Sequence, residues 1–222
     1  ANVRTPHLMA WLEDQKPEPV MELPEDEEHI AVLDLSVESP DVDGHDTDDT
    51  LAFQHRIQGL LDEAGAPVGV GRYLEPRGFY LTEQFSGRDG DPRERRTVHL
   101  GIDLFAEAGS EVRAPFDGKV RAIENNAARL DYGPTVVLEH SSPHGRFWTL
   151  YGHLSAASTE SLELGKDLEA GSIFAQLGAP PENGDWPPHL HFQIVTHFLG
   201  HGGDFPGVAL PRERGVWSSF SP

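Results

Sequence analysis

The chain has 222 residues, a formal net charge of −20 and no cysteine. This charge excludes nucleic acid and anionic membranes as partners, since both need a basic surface. Without cysteine, any metal must be bound by histidine and carboxylate. The 23 glycines and 18 prolines favour a turn-rich β protein, and no apolar stretch approaches the ~18 residues of a membrane span.

The acidity is concentrated at the start of the chain, where residues 1–64 carry seventeen acidic side chains against three basic ones. Thr5-Pro6 predicts the start of a helix. The run 30–37 predicts a strand, and the apolar spacing over 57–64 predicts a helix that ends at Gly65. We therefore expect a short α/β extension ahead of the main fold.

Short apolar runs separated by turn residues follow from Gly78 onward and predict an antiparallel sheet or sandwich. Asp117-Gly118 predicts a tight hairpin between Val112 and Val120. The candidate strands are 79–81, 119–123, 135–138, 147–151, 172–175 and 190–195.

Three short segments of the chain together contain four histidines and one aspartate: His99, Asp103, His153, His189 and His191. Zinc accepts imidazole nitrogen and carboxylate oxygen, and a catalytic zinc uses three protein ligands and keeps a fourth position for water. In a strand, His189 and His191 point to the same face. A bend between His99 and Asp103 brings both to one metal.

The other histidines lie mostly in polar or glycine-rich surroundings, and we interpret them as solvated surface residues. His197 and His201 flank Phe198-Leu199-Gly200 and form a weaker candidate for a second metal site. The remaining members of this group are His7, His29, His45, His55, His140 and His144.

Four motifs follow one another along the chain: His99-x-x-x-Asp103, residues 109–120, Tyr151-Gly152-His153-Leu154 and His189-Leu190-His191-Phe192. Their order and spacing resemble the M23 peptidase family, the LytM and lysostaphin-like zinc metallopeptidases. The resemblance covers about half of the chain, from Gly78 to Val195. It implies a two-layer antiparallel β fold with the metal groove over one sheet.

The resemblance also implies a role for each residue of the set. His99, Asp103 and His191 bind zinc, and His153 and His189 are the catalytic histidines that do not bind it. The implied reaction is attack of metal-activated water on a peptide bond, in a peptidoglycan-like peptide or a small amide. Which histidine removes the proton from that water stays open.

Two other functions compete with this interpretation. A non-catalytic M23-like domain would bind peptides or regulate a larger multidomain enzyme, but inactive relatives lose metal ligands and none is lost here. The run 112–120 also resembles the turn of biotinyl and lipoyl carrier domains. None of the three lysines, Lys16, Lys119 and Lys166, has the hairpin-tip setting that such a carrier modifies.

The approach to His189 departs from the family pattern, which has a turn rich in glycine, serine and threonine. Residues 180–188 instead contain four prolines, which stiffen the segment. Trp186 either walls a groove or anchors this loop. The departure leaves the metal ligands intact but puts the substrate specificity in doubt.

We predict three regions: an acidic extension or partial linker over 1–77, an M23-like domain over 78–205 and a C-terminal linker over 206–222. The chain begins without an apolar leader, which favours the cytoplasm, or the periplasm or exterior if a leader was removed. A weaker resemblance to multidomain bacterial proteins, in which an M23-like domain precedes a class III aminotransferase domain, predicts neighbouring domains of the same polypeptide.

Overall fold

The computed structural model describes residues 4–26, 29–43, 46–87, 91 and 94–222. Its strands are β1 Ile30–Leu33, β2 Val68–Gly71, β3 Val98–His99, β4 Ile102–Phe105, β5 Glu111–Arg113, β6 Gly118–Asn126, β7 Gly133–Ser142, β8 Gly145–Gly152, β9 Asp167–Leu168, β10 Ile173–Gln176, β11 His189–Val195 and β12 Val208–Ala209. Its α-helices are α1 Arg4–Asp14, α2 Thr50–Ala64, α3 Ala156–Glu160 and α4 Arg214–Trp217. None of the helices in the described ranges has the length and apolarity needed to cross a bilayer.

One eight-stranded sheet dominates the molecule, with the strand order β1-β2-β4-β11-β8-β7-β6-β9. Only β1 and β2 pair in parallel, and the other neighbours are antiparallel. Two smaller sheets pair β10 with β5 and β12 with β3. The predicted fold class, mainly β with a large antiparallel sheet, is confirmed.

Strand β11 lies in the middle of this sheet and separates the apolar core from the candidate site. Leu190 is fully buried in the main core cluster, and Phe192 packs against that cluster. Because side chains alternate along a strand, His189 and His191 project from the opposite face. The predicted orientation of both histidines is confirmed.

Residues before position 78 complete one edge of the sheet. Strand β2 pairs with β4, and α2 packs Phe53, Ile57 and Leu61 into a second core cluster. Helix α2 ends as predicted, at Gly65 with a left-handed φ of 63°. A Cβ on Gly69 would lie 2.7 Å from Leu61, so glycine allows the close approach of α2. The boundary between 77 and 78 stays a prediction, although the residues before it supply two strands.

The segment predicted as a C-terminal linker packs on the same body. Strand β12 pairs with β3, and the Ser221 hydroxyl donates to the carbonyl of Ile194 over 2.8 Å. The rings of Trp217 and Phe220 pack against the cluster around Phe205. Residues 206–222 thus pack against the cluster that contains Leu150 of β8 and Val195 of β11.

Two secondary-structure predictions were wrong. Residues 112 and 120 do not form a hairpin around Asp117-Gly118, since β5 pairs with β10 whereas β6 pairs with β7 and β9. Residues 79–81 do not form a strand. Phe79 and Tyr80 are instead buried in the second core cluster, which explains why this turn is apolar.

The interpretation of His140 as a surface residue was also wrong. This histidine is 1% exposed. Its Nδ1 lies 2.9 Å from the carbonyl oxygen of Asp117, and its Nε2 lies 2.7 Å from Oγ1 of Thr149. Both ring nitrogens are therefore satisfied inside the fold, where the ring bridges strand β7 to β8 and to the turn before β6.

Candidate metal centre

Strand register brings the three predicted ligands together. Strand β3 ends at His99, the chain bends, and β4 carries Asp103 directly opposite His191 of β11. The bend needs Gly101, because a Cβ there would lie 2.6 Å from the Phe192 carbonyl oxygen and 2.7 Å from His191 Nε2. The spacing of His99 and Asp103 therefore reflects a tight turn between two strands.

The ligand atoms have the separations that zinc requires. His99 Nε2 lies 3.2 Å from Asp103 Oδ1 and 3.0 Å from His191 Nδ1, and His191 Nδ1 lies 3.1 Å from Asp103 Oδ1. In a tetrahedral zinc site with bonds of about 2.0–2.1 Å, neighbouring ligand atoms lie about 3.3 Å apart. Two imidazoles and one carboxylate at these distances fit a zinc ion that keeps its fourth position open.

Hydrogen bonds on the far side of each ring orient the two candidate ligand histidines. The ring N–H of His99 at Nδ1 donates to the Arg72 carbonyl over 3.1 Å, which leaves Nε2 unprotonated. His191 donates from Nε2 to Oε1 of Gln193 over 3.0 Å, which leaves Nδ1 unprotonated. Gln193 Nε2 donates to the Pro206 carbonyl, so the amide oxygen faces the histidine. Such outer contacts fix the tautomer that binds a metal.

A buried ion pair holds the second oxygen of Asp103. Arg77 Nη1 donates to Asp103 Oδ2 over 2.6 Å, and Arg77 Nε donates to Glu75 Oε2 over 2.9 Å. Burial alone would raise the pKa of Asp103, but the His99 ring and the Arg77 guanidinium hold it well below its usual range. The carboxylate is therefore charged and directs Oδ1 toward the two ligand histidines.

The two predicted catalytic histidines lie beside this cluster, with ring centroids 4.2 Å apart. His153 Nδ1 donates to the Asn183 carbonyl over 2.8 Å, and His189 Nδ1 donates to the Pro187 carbonyl over 2.7 Å. His189 Nε2 lies 3.7 Å from Asp103 Oδ1. Burial lowers the pKa of both histidines, so both rings are neutral at neutral pH with Nε2 as the basic nitrogen.

His153 adopts an unusual backbone conformation. Its φ is 63°, in the left-handed region that residues other than glycine rarely adopt. The backbone N–H donates to the Tyr132 carbonyl over 2.7 Å, and its carbonyl accepts from Gly178 over 2.9 Å. Such strain persists where surrounding contacts hold it and is typical of functional sites. Here it turns the ring of His153 toward His189.

All five predicted site residues therefore meet at one place, and each is at most 5% exposed. The weaker second site does not assemble: His201 lies 3.8 Å from Asp204, and no third ligand joins them among the described residues.

Several residues of the site carry no clear signal in the sequence. Arg77, Glu75 and Asn183 act through contacts between distant segments. Gln193, by contrast, could have been found from the sequence, because it lies two residues after His191 in a strand and therefore shares its face.

Comparison with known proteins identifies the region that holds these residues. The profile of peptidase family M23 matches residues 97–201. Residues 97–201 are therefore similar to the M23 peptidases. All five site residues lie within the matched region, whereas Glu75 and Arg77 precede it.

The curated relatives that match this region are longer proteins. Glycyl-glycine endopeptidase ALE-1 of Staphylococcus capitis is 32% identical over 99 residues, covering 45% of this chain and 25% of that protein. DD-carboxypeptidase/endopeptidase Mpg of Neisseria meningitidis serogroup B is 31% identical over 114 residues, covering 51% of this chain and 23% of that protein. The chain thus spans about a quarter of the length of the curated relatives it matches.

Among solved structures, the catalytic domain of the antimicrobial peptidase lysostaphin from Staphylococcus simulans is similar to this chain. It is 22% identical with a TM-score of 0.37, and the match covers 55% of this chain and 80% of that domain.

Proposed function

We propose that the chain is a zinc-dependent peptidase or amide hydrolase of the M23 type. The observation that carries this proposal is the group of three ligand atoms 3.0–3.2 Å apart, with two further neutral histidines beside it. Two of the relatives are an endopeptidase and a carboxypeptidase/endopeptidase by name. The proposed substrate is accordingly a peptide bond of a peptidoglycan-like peptide or a small amide.

His99, Asp103 and His191 would hold the ion. A zinc ion bound there would polarise the scissile carbonyl and lower the pKa of its bound water from about 16 to about 7. The Arg77 contact keeps Asp103 ionised, and the outer hydrogen bonds of both ligand rings keep the correct nitrogen free.

His153 and His189 handle the protons in this proposal. Each ring is held by an Nδ1–H bond to a fixed backbone carbonyl, so Nε2 can accept a proton from the attacking water. General-base assistance of this kind contributes about 10²–10⁴-fold. Once protonated at Nε2, the second ring stabilises the developing oxyanion. The two histidines share these duties.

Metal content and turnover, measured together, test the proposal. The purified chain should contain one zinc and hydrolyse peptidoglycan or a member of a panel of small amides. Asp103→Ala should lose both zinc and activity, because it removes a ligand. His153→Ala and His189→Ala should keep zinc and lose at least about 100-fold in kcat. His144→Ala, an exposed position in the turn between β7 and β8, should keep both.

The outcomes separate the proposal from its alternative. A chain that binds no zinc and shows no zinc-dependent hydrolysis contradicts it. Stoichiometric zinc without hydrolysis of any amide instead supports a non-catalytic domain that binds peptides or regulates a larger enzyme. Loss of zinc in both His153→Ala and His189→Ala would contradict the roles assigned to these two residues.

A further inference from the structure

The space above the candidate site is small. The cavity that reaches His99, Asp103, His153, His189 and His191 has a volume of about 160 Å³, and all five side chains are at most 5% exposed. For scale, an apolar protein cavity of about 150 Å³ accommodates benzene. The site therefore has room for roughly one ring-sized group beside the reacting amide.

Aromatic rings form much of the wall of this cavity. The Tyr80 ring centroid lies 4.7 Å from that of Phe85 and 6.0 Å from that of Trp186. The Trp186 ring lies 6.2 Å from the ring of His153 and 6.3 Å from that of His189. Rings at 4.5–7 Å pack favourably in tilted or edge-to-face arrangements. An aromatic group of a ligand would find the same geometry next to the reacting centre.

Backbone hydrogen bonds fix the wall in place. Arg77 N donates to the Thr97 carbonyl over 2.8 Å, and Arg96 N donates to the Phe85 carbonyl over 2.7 Å. The Arg96 guanidinium also lies 5.8 Å from the centre of the Phe85 ring. Residues 79–85 of this wall precede the region that matches the M23 profile. The wall thus combines residues 79–85, which lie outside the matched region, with Trp186, which lies inside it.

The cavity is also lined by residues with unused hydrogen-bond donors. Among the described residues, Trp186 Nε1, Gln84 Nε2 and Arg77 Nη2 are buried without a hydrogen-bond partner, and all three residues line the cavity. Thr82 Oγ1 is also without a partner but does not line the cavity. Buried donors are normally paired, so a ligand oxygen is the group that would complete them.

We infer that this site takes a small amide that carries one aromatic group and an acceptor oxygen, rather than a strand of a polymer. The inference rests on the proposed function. The aromatic group packs against Trp186 and Tyr80, and a carbonyl or carboxylate oxygen accepts from Trp186 Nε1 and Gln84 Nε2. In the reaction, the C–N bond breaks, water oxygen bonds to the carbonyl carbon, and the leaving amine receives a proton.

A polymer strand does not fit this enclosure. An extended peptide rises about 3.3 Å per residue, so a strand that continued on both sides of the scissile bond would need an open groove. Here the aromatic wall of residues 79–85 and the loop that carries Trp186 both border the site. Both segments would have to move for a strand to pass on both sides of the scissile bond.

Binding measured without turnover tests the inference independently of activity. We expect N-acetyl-L-phenylalanine to bind the metal-free chain at least about tenfold more tightly than N-acetylglycine, by calorimetry. N-acetyl-L-phenylalaninamide separates the two sources of the acceptor: equal binding indicates a carbonyl, and weaker binding than the acid indicates a carboxylate. Either order supports the inference, and equal Kd values for the phenylalanine and glycine probes overturn it.

Matched variants test the position of the ligand. Trp186→Phe keeps a ring and removes Nε1, so N-acetyl-L-phenylalanine should bind about fivefold to tenfold more weakly. Gln84→Leu, at a half-buried position, should have a similar effect. Trp148→Phe is the control, because Trp148 Nε1 donates to Glu139 over 3.1 Å outside the cavity. Unchanged binding in both Trp186→Phe and Gln84→Leu would overturn the inference.

Turnover then separates the inference from the proposed function. The kcat/KM of zinc-loaded chain for dipeptides with phenylalanine should exceed that of glycine-matched dipeptides at least about tenfold. Efficient cleavage of insoluble peptidoglycan would overturn the inference and leave the proposed function standing. Selective binding of the aromatic probe without zinc-dependent hydrolysis would contradict the proposed function alone.

Discussion

Arg77 and Asp103 form an ion pair in which both side chains are at most 3% exposed. Removing one partner of a buried pair leaves an uncompensated charge, which costs about 3–5 kcal/mol. We expect Arg77→Met to lower the free energy of unfolding by this amount in urea titrations of the metal-free chain.

Arg72 provides the matched control for this substitution. It also pairs with carboxylates, but its side chain is 47% exposed. Arg72→Met should therefore cost less than about 1 kcal/mol. Equal small losses in the two variants would show that the buried pair does not hold Asp103.

Gln193 accepts a hydrogen bond from Nε2 of His191 and thereby leaves the lone pair on Nδ1. Replacing an outer partner of a ligand histidine weakens metal affinity by about 10–100-fold. We expect Gln193→Leu to raise the zinc Kd by that factor in competition with a chelator, without loss of the fold by circular dichroism. Gln176→Leu, at an exposed position of β10, should leave the Kd unchanged. An unaltered Kd for Gln193→Leu would mean that His191 is oriented by other contacts.

The grouping of the five candidate site residues could be predicted from the sequence, because they lie in short motifs whose residue types suit zinc. Arg77 could not, because it lies 26 residues from Asp103 in a loop with no periodic pattern. Trp186 was left open between groove wall and loop anchor. In the structure Trp186 has both roles, since its ring packs against Phe53 and Phe79 and also lines the cavity.

At the scale of elements, helix α2 offers two glycines in opposite situations. Gly65 has a φ of +63° at the C-terminal cap, whereas Gly59 lies in the helix with nothing within 4 Å of an added Cβ. An alanine in the left-handed region costs about 1 kcal/mol, and alanine in a helix interior gains about 0.5–1 kcal/mol over glycine.

Gly65→Ala should therefore lower the free energy of unfolding by about 1 kcal/mol, and Gly59→Ala should raise it by about 0.5–1 kcal/mol. Urea titration of both variants beside the parent measures the difference. Unchanged unfolding free energies in both variants would show that α2 is not coupled to the unfolding of the sheet.

The same scale shows where local signals are insufficient. Asp117-Gly118 is a strong hairpin pattern, but the backbone of β5 is already engaged, with Arg113 N donating to Val20 and Ala114 N to Ser172. Partners distant in sequence therefore override the local turn. The helix end at Gly65 was predicted correctly because a cap depends on its own few residues.

At the scale of the whole molecule, stability should fall with acidification. Burial lowers the pKa of four histidines: His99 to about 4, and His140, His153 and His189 in the same direction. The unfolded chain takes up protons near pH 6.5, where the folded chain does not. Below pH 6.5 the unfolded state therefore binds more protons than the folded state, and this proton binding lowers the free energy of unfolding.

We expect the metal-free chain to lose up to about 1.4 kcal/mol of unfolding free energy per pH unit for each such histidine below pH 6.5. Urea titrations at pH 7.5, 6.5 and 5.5 with a chelator measure this slope. His144→Ala should retain the slope, since His144 is exposed. A flat profile from pH 7.5 to 5.5 would refute the assignment of these histidines as neutral and buried.

Both ends of the chain belong to the same packed body in their described parts. The acidic region before residue 78 contributes β1, β2 and α2, and residues 206–222 pack through Trp217, Phe220 and Ser221. Their interpretation as extension and linker came from composition, which records charge and turn residues but not strand pairing. The neighbouring aminotransferase domain and the cellular compartment stay predictions.

The sequence by itself determined the donor set, the shared face of His189 and His191 and the mainly β fold, because these depend on residue type and on the period of a strand. Only the tertiary structure decided that Arg77 neutralises Asp103 and that aromatic rings enclose the site. Both depend on the register of β4 against β2 and β11 and on the segment before β3 that carries Arg77 and residues 79–85. Such contacts between distant segments leave no local pattern in the chain.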